Sequence, residues 1–309
     1  MNNNKSICAL NEGKNNCLPN PVIQSLSEVV LDDPKNIIIS KISKALNCNS
    51  NLSIPEQELC ILHKIKEKTD DENLKQAIDK QVLKNFKIPT KSLDKNYWLN
   101  NTEIDNVQFQ FQTKFPGYYY STIHMIDLEN FTPSNSDIIL HNDKLYNIKD
   151  IDFLTEISSQ KRGSGKNPKL THNGELKYFG MVCNTDLSTN GGLHWFSIFI
   201  DFTTTPIQIE YFNSSGYPLT RGTHIKEREA FYEFFKNMAD ELTKNGFPAK
   251  FIQVTELEHQ RHDTANCGSY SLFYIWSRLN GKKYSMFTNN KITDELMEKF
   301  RGVLWRTKN

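Results

Sequence analysis

HDTANCGSYSLFYIW, residues 262–276, decides how this chain is read. Its first five residues are polar or small and read as a loop. From Cys267 to Leu279 the apolar positions Leu272, Phe273, Ile275, Trp276 and Leu279 fit a buried helix. Cys267 therefore opens a predicted helix, where backbone N–H groups and the helix dipole favour an anion. A thiol in that place is favoured as thiolate, the form that attacks a carbonyl. Gly268 beside it would let a substrate backbone come close to the sulfur. Most single cysteines are structural, so the reading depends on what accompanies this one.

Three further stretches supply partners. In GGLHWFSIFID, residues 191–201, His194 opens a predicted strand and is a candidate general base. In IQIEYFNSSG, residues 207–216, Asn213 ends the next strand, nineteen residues after His194. Adjacent antiparallel strands would set the two side by side, with Asn213 fixing the imidazole tautomer. Gln260, seven residues before Cys267, could donate its amide to an oxyanion beside the Cys267 N–H. Each residue alone has an ordinary structural reading: an edge histidine, a turn asparagine, a loop glutamine. Together they fill the four roles of a cysteine hydrolase.

The rest of the sequence sets the frame. The 309 residues carry 37 Lys+Arg against 36 Asp+Glu, so no global field draws the chain to nucleic acid or an acidic membrane. At 38% hydrophobic and 11% aromatic it can bury a core. No apolar run approaches a membrane span, and the start, MNNNKSICALNEGKNN, is not a signal peptide; a soluble intracellular protein is expected. Residues 21–90 read as helices over 21–31, 38–46, 55–68 and 71–86, with Pro55 in a first turn. From about Lys91 the chain turns aromatic and β-branched. Strands are expected at 178–183, 193–201, 206–212 and 249–254, and helices at 225–245, 267–279 and 293–305. Residues 161–175, which include GSGK, read as a basic surface loop. The expected fold is α+β: a helical domain over 1–90 and a mixed α+β domain over 91–309.

Two other clusters read plainly. His259, Arg261 and His262 lack zinc-finger spacing and read as a polar loop near the active site. Cys8, Cys17, Cys48 and Cys60 could be a zinc or disulfide quartet, but their spacing fits no familiar zinc motif, and they are expected to be ordinary thiols, like Cys183.

The spaced motifs resemble the SUMO-protease/adenain clan of cysteine proteases, which joins the Ulp-type peptidases with the adenovirus protease. His194-Trp195, then Asn213, then Gln260 shortly before Cys267-Gly268, follow that clan's order. YWLNNTEI, residues 97–104, is similar to the motif that opens the Ulp-type catalytic domain. CNTDLSTNGGLHW, IEYFNSSG, HQRHDTANCGSYSLFYIW and ITDELMEKFRGVLWR are most similar to the asfarvirus-like branch that processes polyproteins in large DNA viruses. The likeness is clear over about 178–306 and weaker from about 92.

The resemblance implies a papain-like core, with a central mixed sheet flanked by helices and an N-terminal helical arm. It implies Cys267 as nucleophile, His194 as base, Asn213 as orienting residue and Gln260 as oxyanion donor. Trp98 and Trp195 match two tryptophans that narrow the substrate channel, hence a preference for Gly-Gly before the cleaved bond. Trp276 and Trp305 are expected in the core. Asn101 stands where cellular members carry a substrate-contacting Asp, and Asn213 where they carry an Asp. The implied activity is a viral cysteine endopeptidase that cleaves structural polyproteins after Gly-Gly-Xaa-type sites during virion assembly. It would need no metal or cofactor and would act in the host cytoplasm and the virion. Alternatives are a deconjugase of host ubiquitin or SUMO-like proteins, or a non-catalytic binding module.

Overall fold

The computed structural model describes residues 7–11, 16–26, 34–49, 51–127, 138–141, 144–147, 177–244 and 246–307. The chain forms two compact units. One comprises Met1–Leu93 with Arg301–Asn309; the other is Asp94–Phe300.

The first unit is helical. It holds α1 (Asn20–Leu26), α2 (Lys35–Ala45), α3 (Ile54–Lys68) and α4 (Glu72–Asn85). Local chemistry sets the helix starts. Glu56 in the first turn of α3 accepts from the Ser53 N–H (2.8 Å) and hydroxyl (2.6 Å). Asp71 caps α4 by accepting from the N–H groups of Asn73 and Leu74. Ile23, Ile38, Ile39, Ile61, Leu62, Ile78 and Phe86 turn inward to one apolar cluster. The buried Glu58 carboxylate accepts from the Cys17 N–H at 2.6 Å, tying the N-terminal segment to α3. Burial raises the pKa of Glu58 against the opposing pull of the Cys17 and Leu18 N–H groups.

Two expectations change in this unit. Cys8 is bonded to Cys17 and Cys48 to Cys60, so these four are disulfide cysteines and not thiols. The fold of the unit brings the paired Cα atoms to 5.0 and 6.2 Å, inside the range a disulfide spans, which chain spacing does not reveal. The domain division also differs from an even break at residue 90. Strand β1 (Ile88–Thr90) pairs in parallel with Trp305–Thr307, so the final residues group with the first unit.

The second unit is a five-stranded mixed sheet. Its strands are β2 (Tyr118–Met125), β5 (Tyr178–Asn184), β6 (Trp195–Asp201), β7 (Ile207–Phe212) and β8 (Ala249–Val254), in the order β2-β5-β6-β7-β8. β5, β6 and β7 are antiparallel neighbours, and the two outer pairs are parallel. A separate hairpin is formed by β3 (Ile138–His141) and β4 (Lys144–Asn147); the closing strand of the first unit is β9. The expected loop at 161–175 lies outside the described residues.

Both faces of the sheet are covered, which is why β6 is buried at every position. Helix α6 (Ile225–Lys244) covers one face: Phe231 meets Phe196 edge-on at 5.5 Å, with Phe235, Met238 and Leu242 in the same cluster. Helix α7 (Cys267–Leu279) covers the other, where Tyr274 stacks on Phe212 at 4.4 Å. The Arg278 guanidinium lies under the sheet and donates to Glu210 at 2.8 and 2.9 Å and to Asp201 at 3.1 Å. The Tyr274 hydroxyl donates to the same Glu210 carboxylate. This buried charge pair survives because its hydrogen bonds are made in the low-dielectric interior.

Helix α5 (Asn101–Lys114) and α8 (Ser285–Asn289) complete the unit, and α9 (Asp294–Leu304) begins in it and ends in the first. The start of α5 is fixed by a reciprocal cap: Asn100 accepts from the Glu103 N–H, and Glu103 accepts from the Asn100 N–H, both at 3.0 Å. Trp276 packs on Phe111 and Phe115, and Trp305 is buried, as expected for core tryptophans. No helix among the described residues is long and apolar enough to cross a membrane. Thiol titration of the unreduced, denatured chain should count two thiols, Cys183 and Cys267, rising to six after reduction. Six before reduction would contradict both disulfides.

Candidate active site

His194 lies one residue before β6, and its backbone is held from three sides. The Asn184 side-chain oxygen accepts from the N–H groups of Leu193 (2.8 Å) and His194 (3.4 Å). The Thr185 N–H donates to the His194 carbonyl at 2.9 Å. Gly192 enters this turn at φ +95°, and a Cβ there would stand 3.0 Å from the Asn184 amide. Only glycine takes that backbone without strain.

Asn213 lies one residue past β7. The antiparallel register pairs Ser197 with Phe212; continued one step, it sets Asn213 opposite Phe196. His194, two residues earlier, then shares the face of Asn213 on the diagonal. The result is a contact of 2.8 Å between His194 Nε2 and Asn213 Oδ1. The amide orientation is dictated by its other partners. Oδ1 also accepts from the Ser215 N–H at 3.0 Å, and Nδ2 donates to the Tyr217 carbonyl at 3.2 Å. A backbone N–H only donates and a carbonyl only accepts, so Oδ1 must face the ring. Nε2 therefore carries the proton, and Nδ1 is the basic nitrogen.

Behind Asn213 a polar chain runs into the fold. Asn213 Nδ2 donates to the Tyr211 hydroxyl at 2.9 Å, which donates on to the Tyr217 carbonyl. The buried Arg228 acts on the same hydroxyl through its charge and holds the Thr223 carbonyl through Nε at 2.6 Å. Desolvation pushes the His194 pKa down to about 4; the Asn213 bond opposes this and the Arg228 charge adds to it. The ring is neutral at pH 7, as a general base must be.

Cys267 is the first residue of α7, buried, with its backbone N–H outside the helix's own ladder. The loop before it is pinned by Asp294. That buried carboxylate accepts from the Arg261 N–H (2.9 Å), the Thr264 hydroxyl (2.8 Å) and the Asn266 amide (2.8 Å). Gln260 sits in the same loop. Its N–H donates to the Ser214 carbonyl, and its side-chain oxygen accepts from the Ser214 hydroxyl at 2.9 Å. Its Nε2 donates to the Thr264 carbonyl at 2.7 Å, so one amide hydrogen is held and the second remains for a ligand.

Trp195 joins the two halves of the site. Its indole N–H donates to the Leu99 carbonyl at 3.2 Å, and its ring edge faces Gly268. A Cβ on Gly268 would meet Leu99, Trp195 and Ile104 at 3.2–3.3 Å. The residue after His194 thus touches the residue after Cys267. Gly268 serves this close packing, a role the sequence reading did not assign.

The other expected residues are placed as follows. Trp98 is 51% exposed, whereas Trp195 is only 5% exposed. Asn101 is exposed in the first turn of α5. His259 and His262 part company. His259 is buried against Phe212, Tyr270 and Phe287 and accepts from the Ile292 N–H through Nδ1, which makes it a core residue and not part of a polar loop. His262 faces solvent beside Glu258. Sequence reasoning missed Asp294, Tyr211 and Arg228, and also two exposed apolar residues, Leu193 beside His194 and Tyr217 behind Asn213. Only the large apolar residues in solvent carried a sequence signal, through their places next to the motifs.

Two stability outcomes follow from these contacts. His194 and His259 are both pushed down to about 4, chiefly by desolvation. Unfolded histidines take up protons near 6.5, so the folded state is fully favoured above that pH and loses ground as pH falls toward 4. The loss is at most about 1.4 kcal/mol per pH unit for each ring. Urea midpoints at pH 7, 6 and 5 should fall in that order, and a constant midpoint would contradict the two neutral rings. Asp294→Ala should cost about 2–4 kcal/mol, because it strips the acceptor from three donors. An unchanged urea midpoint for that variant would show that the loop does not depend on Asp294.

Comparison with known proteins places this arrangement. No family model matches the chain. It is 33% identical over 208 residues to a cysteine protease of African swine fever virus, from a Malawi tick isolate, covering 67% of each sequence. It is 33% identical over 210 residues to the SUMO-1 cysteine protease of a Kenyan pig isolate of the same virus, again covering 67% of each. A crystal structure of the African swine fever virus protease superposes with a TM-score of 0.62 at 26% identity, covering 98% of this chain and 96% of that one. The papain-like α+β core is the fold of that enzyme. With one-third identity across two-thirds of both sequences, the chain belongs to the family of the African swine fever virus cysteine protease.

Proposed function

We propose that the chain cleaves structural polyproteins after Gly-Gly-Xaa-type sites, with Cys267 as nucleophile. The observation that carries the reading is the His194–Asn213 bond, whose amide orientation leaves Nδ1 as the base. The contact of Trp195 with Gly268, which brings the neighbours of His194 and Cys267 together, supports it.

In the proposed reaction the Cys267 proton passes to His194 Nδ1, and the sulfur attacks the scissile carbonyl carbon. The Cys267 N–H and the second Gln260 amide hydrogen stabilise the oxyanion. The C–N bond breaks as His194 returns the proton to the leaving amine, giving a thioester. His194 then takes a proton from water. The hydroxide adds to the thioester, and the thiol leaves with the proton restored. Asn213 is neutral, so it orients the ring without holding an imidazolium as a carboxylate would. Trp98, Leu193 and Tyr217 supply exposed apolar surface for residues flanking the cleaved bond, and Asn101 a polar contact. The host cytoplasm and the assembling virion are the proposed places of action.

A second reading has one observation in its favour: a curated relative is named SUMO-1 cysteine protease. On that reading the substrate is the Gly-Gly tail of a ubiquitin- or SUMO-like protein. Wild type should cleave a Gly-Gly-Xaa peptide, Cys267→Ala should not, and Asn213→Ala should lose about 100-fold or more in kcat/KM. Equal cleavage by wild type and Cys267→Ala would end both readings. Faster labelling of Cys267 by a SUMO-aldehyde probe than by a Gly-Gly peptide aldehyde would favour the second.

A further inference from the structure

The first unit contains a cleft of about 760 Å³, and none of the residues lining it takes part in the proposed cleavage. Its walls are apolar at Ile7, Leu52, Leu59, Pro89 and Leu93. Its polar lining carries three cations, Lys64 from α3, Lys87 just before β1 and Arg306 in β9, with His63 of α3 beside them.

The charges of this lining do not balance. Two carboxylates belong to it, and each has another partner. Glu56 accepts from Ser53 at the start of α3, and Glu67 accepts from Lys64 at 2.9 Å. Lys87 is almost wholly buried and donates its ammonium to a neutral acceptor, the Gly302 carbonyl, at 2.5 Å. The Arg306 Nε and the indole N–H of Trp305, itself 1% exposed, are buried with no hydrogen-bond partner among the described residues. Burial depresses the pKa values of Lys87 and Arg306, and burial followed by the Arg306 charge depresses that of His63. A buried cation without a counter-charge and a buried N–H without an acceptor are both unfavourable. Such costs are retained where a ligand offsets them.

The ligand chemistry follows from the donors and the size. Arginine, lysine and indole N–H groups have no acceptor capacity, so the complement is an oxyanion. A bare inorganic anion would leave most of the volume and all of the apolar wall unused; the cleft is in the size range of sites for larger organic ligands. We propose that this cleft binds an acidic peptide segment, its Asp or Glu carboxylate held at Arg306 and Lys87 and its neighbouring aliphatic side chain on Leu59, Pro89 and Trp305. This site is independent of the proposed cleavage reaction.

The test is calorimetric titration of the full chain with acetyl-Leu-Glu-Leu-Asp-amide, its neutral analogue acetyl-Leu-Gln-Leu-Asn-amide, and inorganic phosphate. Neither peptide contains Gly-Gly, so a failure here says nothing of the protease reading. The acidic peptide should bind at least tenfold more tightly than the neutral one. Arg306→Gln should weaken it about tenfold, and His63→Gln, on the exposed side of α3, about threefold. Lys236→Gln on α6 should leave it unchanged. Should Arg306→Gln not fold, the His63 variant and the peptide pair still decide. Equal affinity for the two peptides, no binding of either, or binding indifferent to the variants would overturn the proposal. Binding of phosphate alone would overturn the peptide assignment.

Discussion

The antiparallel register of β6 on β7 is the constraint on which the site depends. With Ser197 opposite Phe212, the two strand ends carry His194 and Asn213 to one face. A slip of one residue would turn every side chain of β6 to the opposite face of the sheet. That slip is blocked twice. Phe196, Ile198 and Ile200 are committed to the α6 side, and Glu210 with Phe212 to the α7 side, where Arg278 and Tyr274 meet them. The hydrophobic core and the buried ion pair thus hold the His194–Asn213 pair without touching it.

A second consequence is electrostatic. Asn213 is neutral and supplies no negative charge that would favour an imidazolium. Arg228 behind Tyr211 pushes in the same direction, and desolvation pushes further. The His194 ring is therefore kept neutral, with its tautomer fixed by hydrogen-bond geometry alone. The price is a carboxamide that must not flip, and four partners around Asn213 prevent it.

Much of this was legible in the chain. The helices at 55–68, 225–245 and 267–279 and the strands from 178 to 212 follow from short-range periodicity, and the structure agrees within one or two residues at most ends. One element was legible and passed over. Asn100 and Glu103 stand at capping-box spacing ahead of Ile104 and Val107, so α5 was announced by its own N-terminus. Other features carried no local signal. The partner of Ile88–Thr90 lies more than two hundred residues away. Asp294 looks like any acidic residue at a helix start until the loop before Cys267 folds over it. His259 and His262 look alike in sequence, yet one is core and the other solvent-facing.

The sequence by itself determined the kinds of groups present and the order of His194, Asn213, Gln260 and Cys267, because motif spacing and apolar period are local properties. Only the tertiary structure decided which way the Asn213 amide faces, that Gly268 is packed under Trp195, and that Cys8 and Cys48 find Cys17 and Cys60. The physical reason is the same in each case. A partner reached through chain closure depends on where all the intervening residues go, and neither spacing nor composition encodes that destination.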